Sequence, residues 1–579
     1  MSTAARELGA RGSRIDVTGA STAIEIPDQA AAVLAAVPVW WHARASAAGL
    51  SGRWADVAEA LAAPMPVLLE VAGSPAVGAL TSATEIGVAY ATALTPQVRA
   101  RHGRHYTPVD LAGQLWDMTR RALGHTAPPR RLTGLVRDPA CGAGALLLPA
   151  LREHLGALRR TDPQLTLANL ASVIEGVDAD PAAVWLANVV LAAEALPVLA
   201  AVPASRRRPL PVLATVGDGL APSGRPARAV VMNPPYGRVR LDPAERERFA
   251  PFLYGHANLY GLFLAAGLES LDDKGVLSAL VPTSFTAGRY FSSLRHEMGQ
   301  AAPLREITFV AERDGVFTGV LQETCLATFT RTKARKAAVS TSNGHLSSVA
   351  SVKSPRGGRP WLLPRRSDDA HIAAASAVMP LTLASAGWRV STGPLVWNRR
   401  REDLWSEPGP DRAPVLWAAD IDGGRLHRDP VRDGLRYLRL RSASDRTVMI
   451  LDAPAILAQR TTAPKQTRRI VAVELTNAGL VSTLLPDVLL VDLGTSPATF
   501  WIVEAVETDG EIDEDRRRAF LRWAEDHRIP VQTVRFLSAF GSRGSSSAKR
   551  RLKDIAADTY AWYLDEPERE LAWYEIGSE

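Results

Sequence analysis

The sequence predicts an α/β protein with a doubly wound sheet, helices before it and further mixed segments after it. From about residue 100 to residue 330, short apolar runs alternate with amphipathic stretches of helical period, a pattern typical of a sheet covered by helices. Residues 1–100 are rich in alanine with helical periodicity, which predicts a helical cap or partner surface. The length of 579 residues exceeds one hydrophobic core and predicts roughly two to four domains.

The composition is that of an ordinary globular protein, since 46% of the residues are hydrophobic and 22% are charged. By our interpretation no apolar run reaches the roughly 18 residues that a bilayer requires. We therefore expect a cytoplasmic protein without a membrane segment. The two cysteines, Cys141 and Cys325, are too few for a disulfide framework or a zinc site. The formal charge of +6, carried mostly by arginine, suits a polyanionic partner.

The apolar runs predict the strands of the sheet in chain order. With the turns that end them, they read LVRDPACGAG, VIEGVDAD, LATVGDGL, AVVMNPPYG, GVLSALVPTS and CLATFT. Residues 336–375 are rich in Ser, Gly, Lys and Arg and predict a basic linker or loop. Residues 376–478 are dense in arginine, and residues 479–579 open with two strand-like runs, PDVLLVDL and TFWIVEAV, followed by the helical stretch DEDRRRAFLRWAEDH.

Polar groups suited to a nucleoside follow three consecutive strands. Gly142 and Gly144 form a turn before a helix, where free N–H groups accept a polar or negative group. The second strand ends at Asp178, where a carboxylate commonly holds ribose hydroxyls, and Asp218 after the third strand can accept from an exocyclic amine. Because no Walker lysine is present, the pattern favours S-adenosyl-L-methionine over a triphosphate. Carboxylates that merely end strands are the alternative.

The fourth strand ends on Asn233, Pro234, Pro235 and Tyr236, which predicts a clamp for a planar amine. Proline cannot donate to a sheet and holds the preceding residue extended, so Asn233 is fixed at the strand end. The Asn233 side-chain oxygen and the Pro234 carbonyl can each accept one N–H, which directs the nitrogen lone pair toward a methyl donor. Tyr236 can stack on the ring that carries the amine. A polyproline turn explains the proline pair, but not the residues around it.

Five motifs in chain order resemble the gamma-class N6-adenine DNA methyltransferases, which include TaqI-like enzymes and, more closely, the modification enzymes of PstI/BsuBI-type systems. They are HYTP at 105–108, DPACGAG at 138–144, GVDAD at 176–180, GDG at 217–219 and NPPYG at 233–237. The resemblance covers roughly residues 80–330 and extends more loosely to about residue 475. It implies a Rossmann-like methyltransferase sheet that transfers methyl from S-adenosyl-L-methionine to an adenine extruded from double-stranded DNA.

The resemblance also implies roles for individual residues. The cofactor-binding residues would be Tyr106, Thr107, Pro108, Asp138, Ala140, Gly142, Gly144, Asp178 and Asp218. The catalytic residues would be Asn233, Pro234, Tyr236 and Phe291. Phe291 falls where the family has an aromatic ring that stacks on the extruded base. Tyr290 is an adjacent alternative for that ring, and core packing is a competing explanation for Phe291.

The arginine-dense segment resembles the target-recognition region of the same methyltransferases. GWRVSTGPLVWNRRREDLW and ILAQRTTAPKQTRRI combine Arg, Thr and Gln with Trp397 and Trp405. Arginines can neutralise phosphates, and Gln459, Arg460 or Gln466 are candidates for reading base edges. A solvated basic surface is the alternative for any single arginine.

The last hundred residues place two carboxylates in one predicted hairpin. Asp487 begins its first strand and Glu504 lies in the second, an arrangement that can hold Mg²⁺ for phosphodiester hydrolysis. PDVLLVD, IVEAVETDG, FLSAF and YAWYLDEPERELAWYE resemble the catalytic half of PstI/BsuBI-type endonucleases, of the PD-(D/E)xK class. Val506 stands where that class has a lysine, and the nearest cations, Arg516 to Arg518, follow on a helix.

The sequence thus predicts an α/β methyltransferase sheet with an N-terminal helical region, a mixed DNA-recognition domain and a C-terminal α/β nuclease-like domain. The boundaries are 1–100 for the helical region, 101–335 for the methyltransferase, 336–375 for the linker, 376–478 for target recognition and 479–579 for the nuclease. The favoured function is an adenine DNA methyltransferase fused to an endonuclease that requires Mg²⁺. A methyltransferase with an inactive nuclease remnant, a protein or RNA methyltransferase and a non-catalytic DNA-binding protein are the alternatives.

Overall fold

The computed structural model divides the chain into two compact units, Met1–Pro380 (unit 1) and Leu381–Glu579 (unit 2). The residues that the structure describes are 27–63, 82–94, 107–125, 127–310, 323–343, 345–379, 381–390, 393–422, 425–426, 434–451, 455–459, 471–475, 481–482, 488–492, 497, 499–506, 511–526, 529–566 and 570–573. Each unit is described by itself below.

Unit 1 alternates helices and strands over most of its length. Its helices are α1 (Asp28–Ala47), α2 (Val57–Ala60), α3 (Ala83–Ala93), α4 (Val109–Ala122), α5 (Leu147–Ala157), α6 (Pro163–Ala168), α7 (Leu170–Val173), α8 (Pro181–Ala201), α9 (Pro243–Arg248), α10 (Leu259–Glu269), α11 (Ser284–Ala287), α12 (Ser292–Ala301) and α13 (Ala370–Val378). Its strands are β1 (Val136–Asp138), β2 (Ile174–Asp178), β3 (Ala214–Val216), β4 (Ala227–Met232), β5 (Leu271–Pro282), β6 (Leu304–Val310), β7 (Thr324–Thr330), β8 (Lys336–Ser342) and β9 (Leu346–Lys353).

Among the described residues, these nine strands form one sheet in the order β3-β2-β1-β4-β5-β7-β6-β8-β9. Strands β1 to β5 run parallel, whereas β7 is antiparallel to both β5 and β6. The first seven positions, with an antiparallel β7, are those of a Rossmann-like methyltransferase sheet, so the predicted fold class is confirmed. The chain order reverses beside β1, which has β2 on one side and β4 on the other, and this is the switch point where ligands of such sheets bind.

Strands β8 and β9 differ from the linker that the composition of residues 336–375 predicts. They form an antiparallel hairpin, and β8 pairs in parallel with β6. In β8, Ala337 and Val339 are buried while Lys336 and Ala338 are exposed, so alternation rather than mean polarity decides the structure. β9 is the last strand of the sheet and carries serines with mostly exposed side chains.

Helix α8 contradicts the expectation that no apolar stretch is long enough to cross a bilayer. It has 21 residues with a mean hydropathy of 1.8 in its most apolar window, enough for a membrane span by length and composition. In the structure 83% of that window is buried, as expected of the core helix of a globular sheet. Asn188 within it serves the edge strand β3, because its side-chain oxygen accepts from the backbone N–H groups of Leu213 and Ala214. Such bonds satisfy backbone groups near the sheet edge.

The described helices of residues 1–100 share one hydrophobic core with the sheet. Helices α1 and α3 contact each other, and both pack against α8. Trp41 of α1 is fully buried and donates its indole N–H to the Trp54 carbonyl at 3.2 Å. These helices are therefore part of unit 1 rather than an appendage to it.

Unit 2 contains several small sheets and one larger sheet. Its strands are β10 (Leu404–Trp405), β11 (Arg412–Pro414), β12 (Ile421–Asp422), β13 (Arg425–Leu426), β14 (Tyr437–Arg439), β15 (Ala455–Ala458), β16 (Ala472–Leu475), β17 (Val481–Ser482), β18 (Val488–Asp492), β19 (Thr499–Val506), β20 (Val534–Phe540), β21 (Thr559–Tyr563) and β22 (Glu570–Trp573). Its helices are α14 (Ala443–Met449), α15 (Glu514–Asp526) and α16 (Ser546–Arg551).

The larger sheet of unit 2 contains the predicted hairpin. Its order is β18-β19-β20-β21-β22, with β18 antiparallel to β19 and with β19, β20 and β21 parallel to one another. Helix α15 follows β19, and its Phe520 packs in a core with Ile502 and Phe536. The two strands and the helix predicted at the start of residues 479–579 are thus present.

Candidate functional site

Four loops of unit 1 meet at one edge of the sheet. Strands β1 to β4 are parallel neighbours, so the turns after their carboxyl ends gather on the same side. These turns carry Asp138, Asp178, Asp218 and Asn233, each at or just after the end of its strand. The four side chains therefore lie at the same edge of the sheet.

The glycine turn after β1 has the backbone geometry that glycine permits. Gly142 and Gly144 have φ values of 49° and 83°, in the left-handed region. A Cβ added at Gly142 would meet nothing within 4 Å, so open space lies beside this turn. A Cβ added at Gly144 would lie 3.5 Å from Ala187, so this second glycine sits against α8.

Asp178 joins the turns that follow β1 and β2. Its Oδ2 accepts from the Gly142 N–H at 2.8 Å, and its Oδ1 accepts from the Asp180 N–H at 2.9 Å. Two backbone donors therefore fix the carboxylate beside the open space at Gly142.

Asp138 is buried under the same turn, with 1% of its surface exposed. Its pKa is raised to about 8, chiefly by burial and also by the nearby Asp178 charge, while a bond from the Ala140 N–H at 3.0 Å opposes the rise. The carboxyl group is therefore largely protonated at neutral pH. Ala140 contributes its backbone N–H to this contact.

Asp218 lies on the exposed side of the same edge. Its Oδ1 accepts from the Leu220 N–H at 2.9 Å. The next residue, Gly219, approaches the first turn so closely that an added Cβ would lie 1.8 Å from the Pro139 carbonyl oxygen. The third loop is thus held against the first, which brings Asp218 to the same site.

Asn233 is fixed at both ends of its side-chain amide. Its Nδ2 donates to Thr107 Oγ1 at 3.0 Å, and its Oδ1 accepts from the Tyr236 hydroxyl at 3.0 Å. Thr107 is buried just before Pro108, the residue that precedes α4. Pro234 is buried, and Tyr106 lies outside the described residues.

Tyr236 is held through both its hydroxyl and its ring, and the expectation that it stacks on a ligand ring stays a prediction. Its hydroxyl lies 3.1 Å from the Leu280 carbonyl as well as 3.0 Å from Asn233 Oδ1. Its ring packs edge-on against Tyr260, with 6.0 Å between the centroids. Burial raises the pKa of Tyr236 well above its ordinary value, so the phenol remains a neutral donor to the amide.

Phe291 packs in the core, as the competing explanation allowed. It is 8% exposed and stacks on Tyr260 with 5.0 Å between the ring centroids. Tyr290 is 45% exposed and lies 5.6 Å from the His256 ring. Both residues line one groove with His256 and Asn258. The assignment of either ring to an extruded base stays a prediction.

Tyr260 is a residue that sequence reasoning missed. It links Tyr236 to Phe291, and its hydroxyl lies 2.8 Å from Ser284 Oγ. Burial raises the pKa of Tyr260 above its ordinary value, so this hydroxyl is neutral. The available signal was a single hydroxyl within the apolar stretch of α10.

In unit 2, the structure gives Gln459 a structural role. Its side-chain N–H group donates to the carbonyls of Ala418 at 2.9 Å and Ile421 at 2.8 Å. Gln459 is therefore a poor candidate for reading bases, because both contacts use its amide donor. Arg460 and Gln466, the other two candidates, lie outside the described residues.

One exposed tryptophan of the same segment lies beside an arginine. Trp397 and Trp405 are both exposed, and the Arg412 guanidinium lies 3.7 Å from the Trp405 ring centroid. A cation over an exposed aromatic ring is compatible with contacts to a nucleic acid.

Glu504 is the described member of the predicted carboxylate pair. It is 1% exposed, and its Oε2 accepts from an Arg516 side-chain N–H at 2.8 Å. Val506 is buried among Phe540 and Tyr563, so the position where a lysine was expected is part of a small core. Asp487 lies outside the described residues, although the next residue, Val488, pairs with Val503.

The described residues of unit 2 do not make a metal site by themselves. Groups of three or more His, Cys, Asp or Glu side chains that could hold a metal ion are absent from the described part of the chain. Glu504 instead contacts the Arg516 cation.

Two protein families match separate parts of the chain. Residues 228–317 match the Eco57I restriction-modification methylase family, which here includes the Asn233 turn. Residues 453–574 match the BsuBI/PstI restriction endonuclease domain, which includes Glu504.

Individual relatives match at modest identity. The type II methyltransferase M.PstI of Providencia stuartii is 24% identical over 278 residues, which are 45% of this chain and 52% of the relative. The type II methyltransferase M.BsuBI of Bacillus subtilis is 23% identical over 208 residues, 34% of this chain and 41% of the relative. The chain thus spans about half the length of the curated relatives that it matches.

Among solved structures, the type IIG restriction endonuclease BpuSI matches at 18% identity with a TM-score of 0.38, over 54% of this chain and 38% of its own. The family matches confirm both resemblances found in the sequence. The chain is therefore similar to a restriction-modification methylase in unit 1 and to a BsuBI/PstI restriction endonuclease domain near its C-terminal end.

Proposed function

We propose that unit 1 is a site-specific DNA methyltransferase that transfers a methyl group from S-adenosyl-L-methionine to the N6 amine of adenine. The observation that carries the proposal is the fixed amide of Asn233, which Thr107 and Tyr236 hold at the end of β4. This amide lies at the switch-point edge of the sheet that also carries Asp178. The family matches and the relatives support the same activity.

The residues at the edge fit S-adenosyl-L-methionine. The space beside Gly142 is open, since an added Cβ there would meet nothing within 4 Å. Asp178 would hold the ribose hydroxyls, Asp218 the adenine amine, and Thr107 and Asp138 would line the methionine end. The cofactor supplies an electrophilic methyl group.

The chain's own residues orient the accepting amine. Asn233 Oδ1 has two lone pairs, and Tyr236 uses one of them in the structure. The Asn233 side-chain oxygen and the Pro234 carbonyl would each accept one N–H of the target amine and stabilise the positive charge that develops there. No general base is required before transfer, because the proton can leave afterward.

The experiment for this activity is transfer of labelled methyl to DNA, followed by identification of the modified base. We expect N6-methyladenine with the natural chain and none with Asn233→Ala, while cofactor binding stays within about twofold. Asn169→Ala, which changes an exposed asparagine far along the chain, is the matched control. Methyl in protein or RNA but not in DNA would contradict the proposal.

We also propose that residues 479–579 carry an endonuclease that requires Mg²⁺, and that the arginine-dense residues 376–478 contact double-stranded DNA. The nuclease proposal is supported by the family match and by the pairing of Val488 with Val503, next to Asp487 and Glu504 along the chain. The proposed metal ligands are Glu504 and Asp487, of which Asp487 lies outside the described residues. Arg516 now contacts Glu504, and a bound cation would compete with it.

Plasmid cleavage with Mg²⁺ and with a chelator tests the nuclease. We expect cleavage only with Mg²⁺, lost in Glu504→Gln, while methyl transfer by that variant continues. Methylation without cleavage by the natural chain would instead establish the inactive remnant. The proposed localisation is the cytoplasm, where double-stranded DNA is the partner.

A further inference from the structure

Helix α3 reaches the proposed cofactor site through one buried hydroxyl. Tyr90, 3% exposed, donates from its hydroxyl to Asp180 Oδ2 at 2.9 Å. The two residues are 90 positions apart, so the bond joins the N-terminal helices to the turn after β2. Nothing in the sequence motifs assigns a role to Tyr90.

Asp180 links that hydroxyl to the carboxylate proposed to hold ribose. Its Oδ1 accepts from the Ala182 N–H at 3.1 Å at the start of α8, and its own N–H donates to Asp178 Oδ1 at 2.9 Å. The other oxygen of Asp178 is fixed by Gly142. Asp180 therefore connects Tyr90 with Asp178, because its side chain accepts from Tyr90 and its backbone N–H donates to Asp178.

The burial of Asp180 makes its donors important. The residue is 1% exposed, and a buried carboxylate is costly unless hydrogen-bond donors contact it. The Ala182 N–H that donates to its Oδ1 lies two residues along the chain, whereas the Tyr90 hydroxyl that donates to its Oδ2 comes from a separate helix. That hydroxyl thus anchors the turn to the body of unit 1.

We propose that Tyr90 is a positioning residue for the cofactor, which makes α3 a supporting part of the cofactor site. The proposal rests on the proposed function, because it assumes that Asp178 holds the cofactor ribose. Loss of the hydroxyl lets the Asp180 turn shift, and Asp178 then no longer presents its oxygens in the binding geometry.

Binding of S-adenosyl-L-methionine to Tyr90→Phe tests this role by calorimetry. We expect the dissociation constant to rise about tenfold, the size of one lost bond to a charged group, with kcat at saturating cofactor within about twofold. Thr119→Val removes another fully buried hydroxyl of unit 1 and is the matched control, expected to leave the dissociation constant unchanged.

A double-mutant cycle separates positioning from general stability. In an Asp178→Asn background, Tyr90→Phe should weaken cofactor binding no further, because it acts through the Asp178 carboxylate. Asp180→Asn keeps the side-chain shape and should also be non-additive with Tyr90→Phe, which keeps the test open if one variant folds poorly.

The outcomes distinguish this inference from the proposed function. If the natural chain does not bind the cofactor, the proposed function itself fails. If the natural chain binds it and Tyr90→Phe binds equally well, the positioning role is overturned. Equal weakening by Thr119→Val, or full additivity with Asp178→Asn, also overturns it.

Discussion

Asn233 Nδ2 donates to Thr107 Oγ1 at 3.0 Å, across 126 positions of the chain. The bond ties the residue before Pro108 to the turn that follows β4. Because the amide nitrogen faces Thr107, the amide oxygen faces the Tyr236 hydroxyl. The orientation of this amide is thus set by a residue from the motif that precedes the glycine turn.

The Thr107 hydroxyl should matter for the chemical step. We expect Thr107→Val to lower the single-turnover rate of methyl transfer about tenfold, because the valine leaves Asn233 Nδ2 without that acceptor and lets the amide rotate. Thr107→Ser keeps the oxygen and should transfer methyl within about twofold of the natural rate. Rapid-quench measurement with labelled cofactor checks both variants, and equal rates for valine and serine would contradict the role given to the hydroxyl.

Asp138 should make the stability of unit 1 depend on pH. Its pKa rises from 3.8 to about 8 on folding, so between these values the folded protein keeps a proton that the unfolded chain has lost. The free energy of unfolding therefore falls as pH rises from about 4 to about 8, and the stabilisation present at the low end is lost at the high end.

Asp138→Asn removes this titration while keeping the side-chain shape. We expect the variant to gain stability relative to the natural chain as pH rises from about 4 to about 8, with no further relative gain above that range. Urea unfolding of both proteins in a pH series measures the difference. A difference that stays constant over the series would show that Asp138 does not titrate in this window.

Arg295 should hold the segment after β5 in place. It is 1% exposed and donates to the carbonyls of Phe285, Gly288, Gly358 and Arg359, so its charge is stabilised by four backbone dipoles. Arg295→Met removes the donor of all four hydrogen bonds, which are buried or partly buried, and should cost about 3 kcal/mol of local stability.

Hydrogen–deuterium exchange of residues 284–301 checks this cost. About 3 kcal/mol corresponds to roughly a hundredfold faster exchange. Arg331→Met, which removes one bond to the Leu268 carbonyl, is a control expected to change exchange in that segment little. Unchanged exchange in Arg295→Met would mean that packing alone holds the segment.

Arg516 should stabilise unit 2 through Glu504. The carboxylate is 1% exposed while the guanidinium is partly exposed, so we expect Arg516→Met to cost about 2 kcal/mol, below the range for fully buried pairs. Arg518→Met breaks an exposed pair with Asp515 and should cost less than about 0.5 kcal/mol. Denaturant unfolding of unit 2 measures both, and similar small costs would contradict a special role for Arg516.

The sheet of unit 1 was predictable where local rules act. The six expected runs overlap β1 to β5 and β7, and proline chemistry placed Asn233 just beyond β4. β8 and β9 were missed because their serines and lysines dominate the composition, although alternate side chains of β8 are buried. Strand β6 was also missed, since the six expected runs do not include its residues.

The contacts that fix the site were less predictable. Thr107 and Asn233, like Tyr90 and Asp180, are brought together by folding, and no spacing in the sequence encodes their separation. The resemblance indicated Thr107 as a cofactor residue, and the contact that the structure shows for it is with the Asn233 amide. Gln459 was a candidate for reading base edges, but in the structure its side-chain amide donates to two backbone carbonyls.

The outermost strand of the nine-stranded sheet has a consequence for solubility. β9, with the sequence LSSVASVK, borders the sheet and would be a template for pairing with a strand from another molecule. Its exposed serines and terminal Lys353 make such intermolecular pairing unfavourable. Replacing those serines with isoleucine or valine would make this edge of the sheet prone to aggregation. The proposed methyl-transfer site, which follows strands β1 to β4, would not be disturbed.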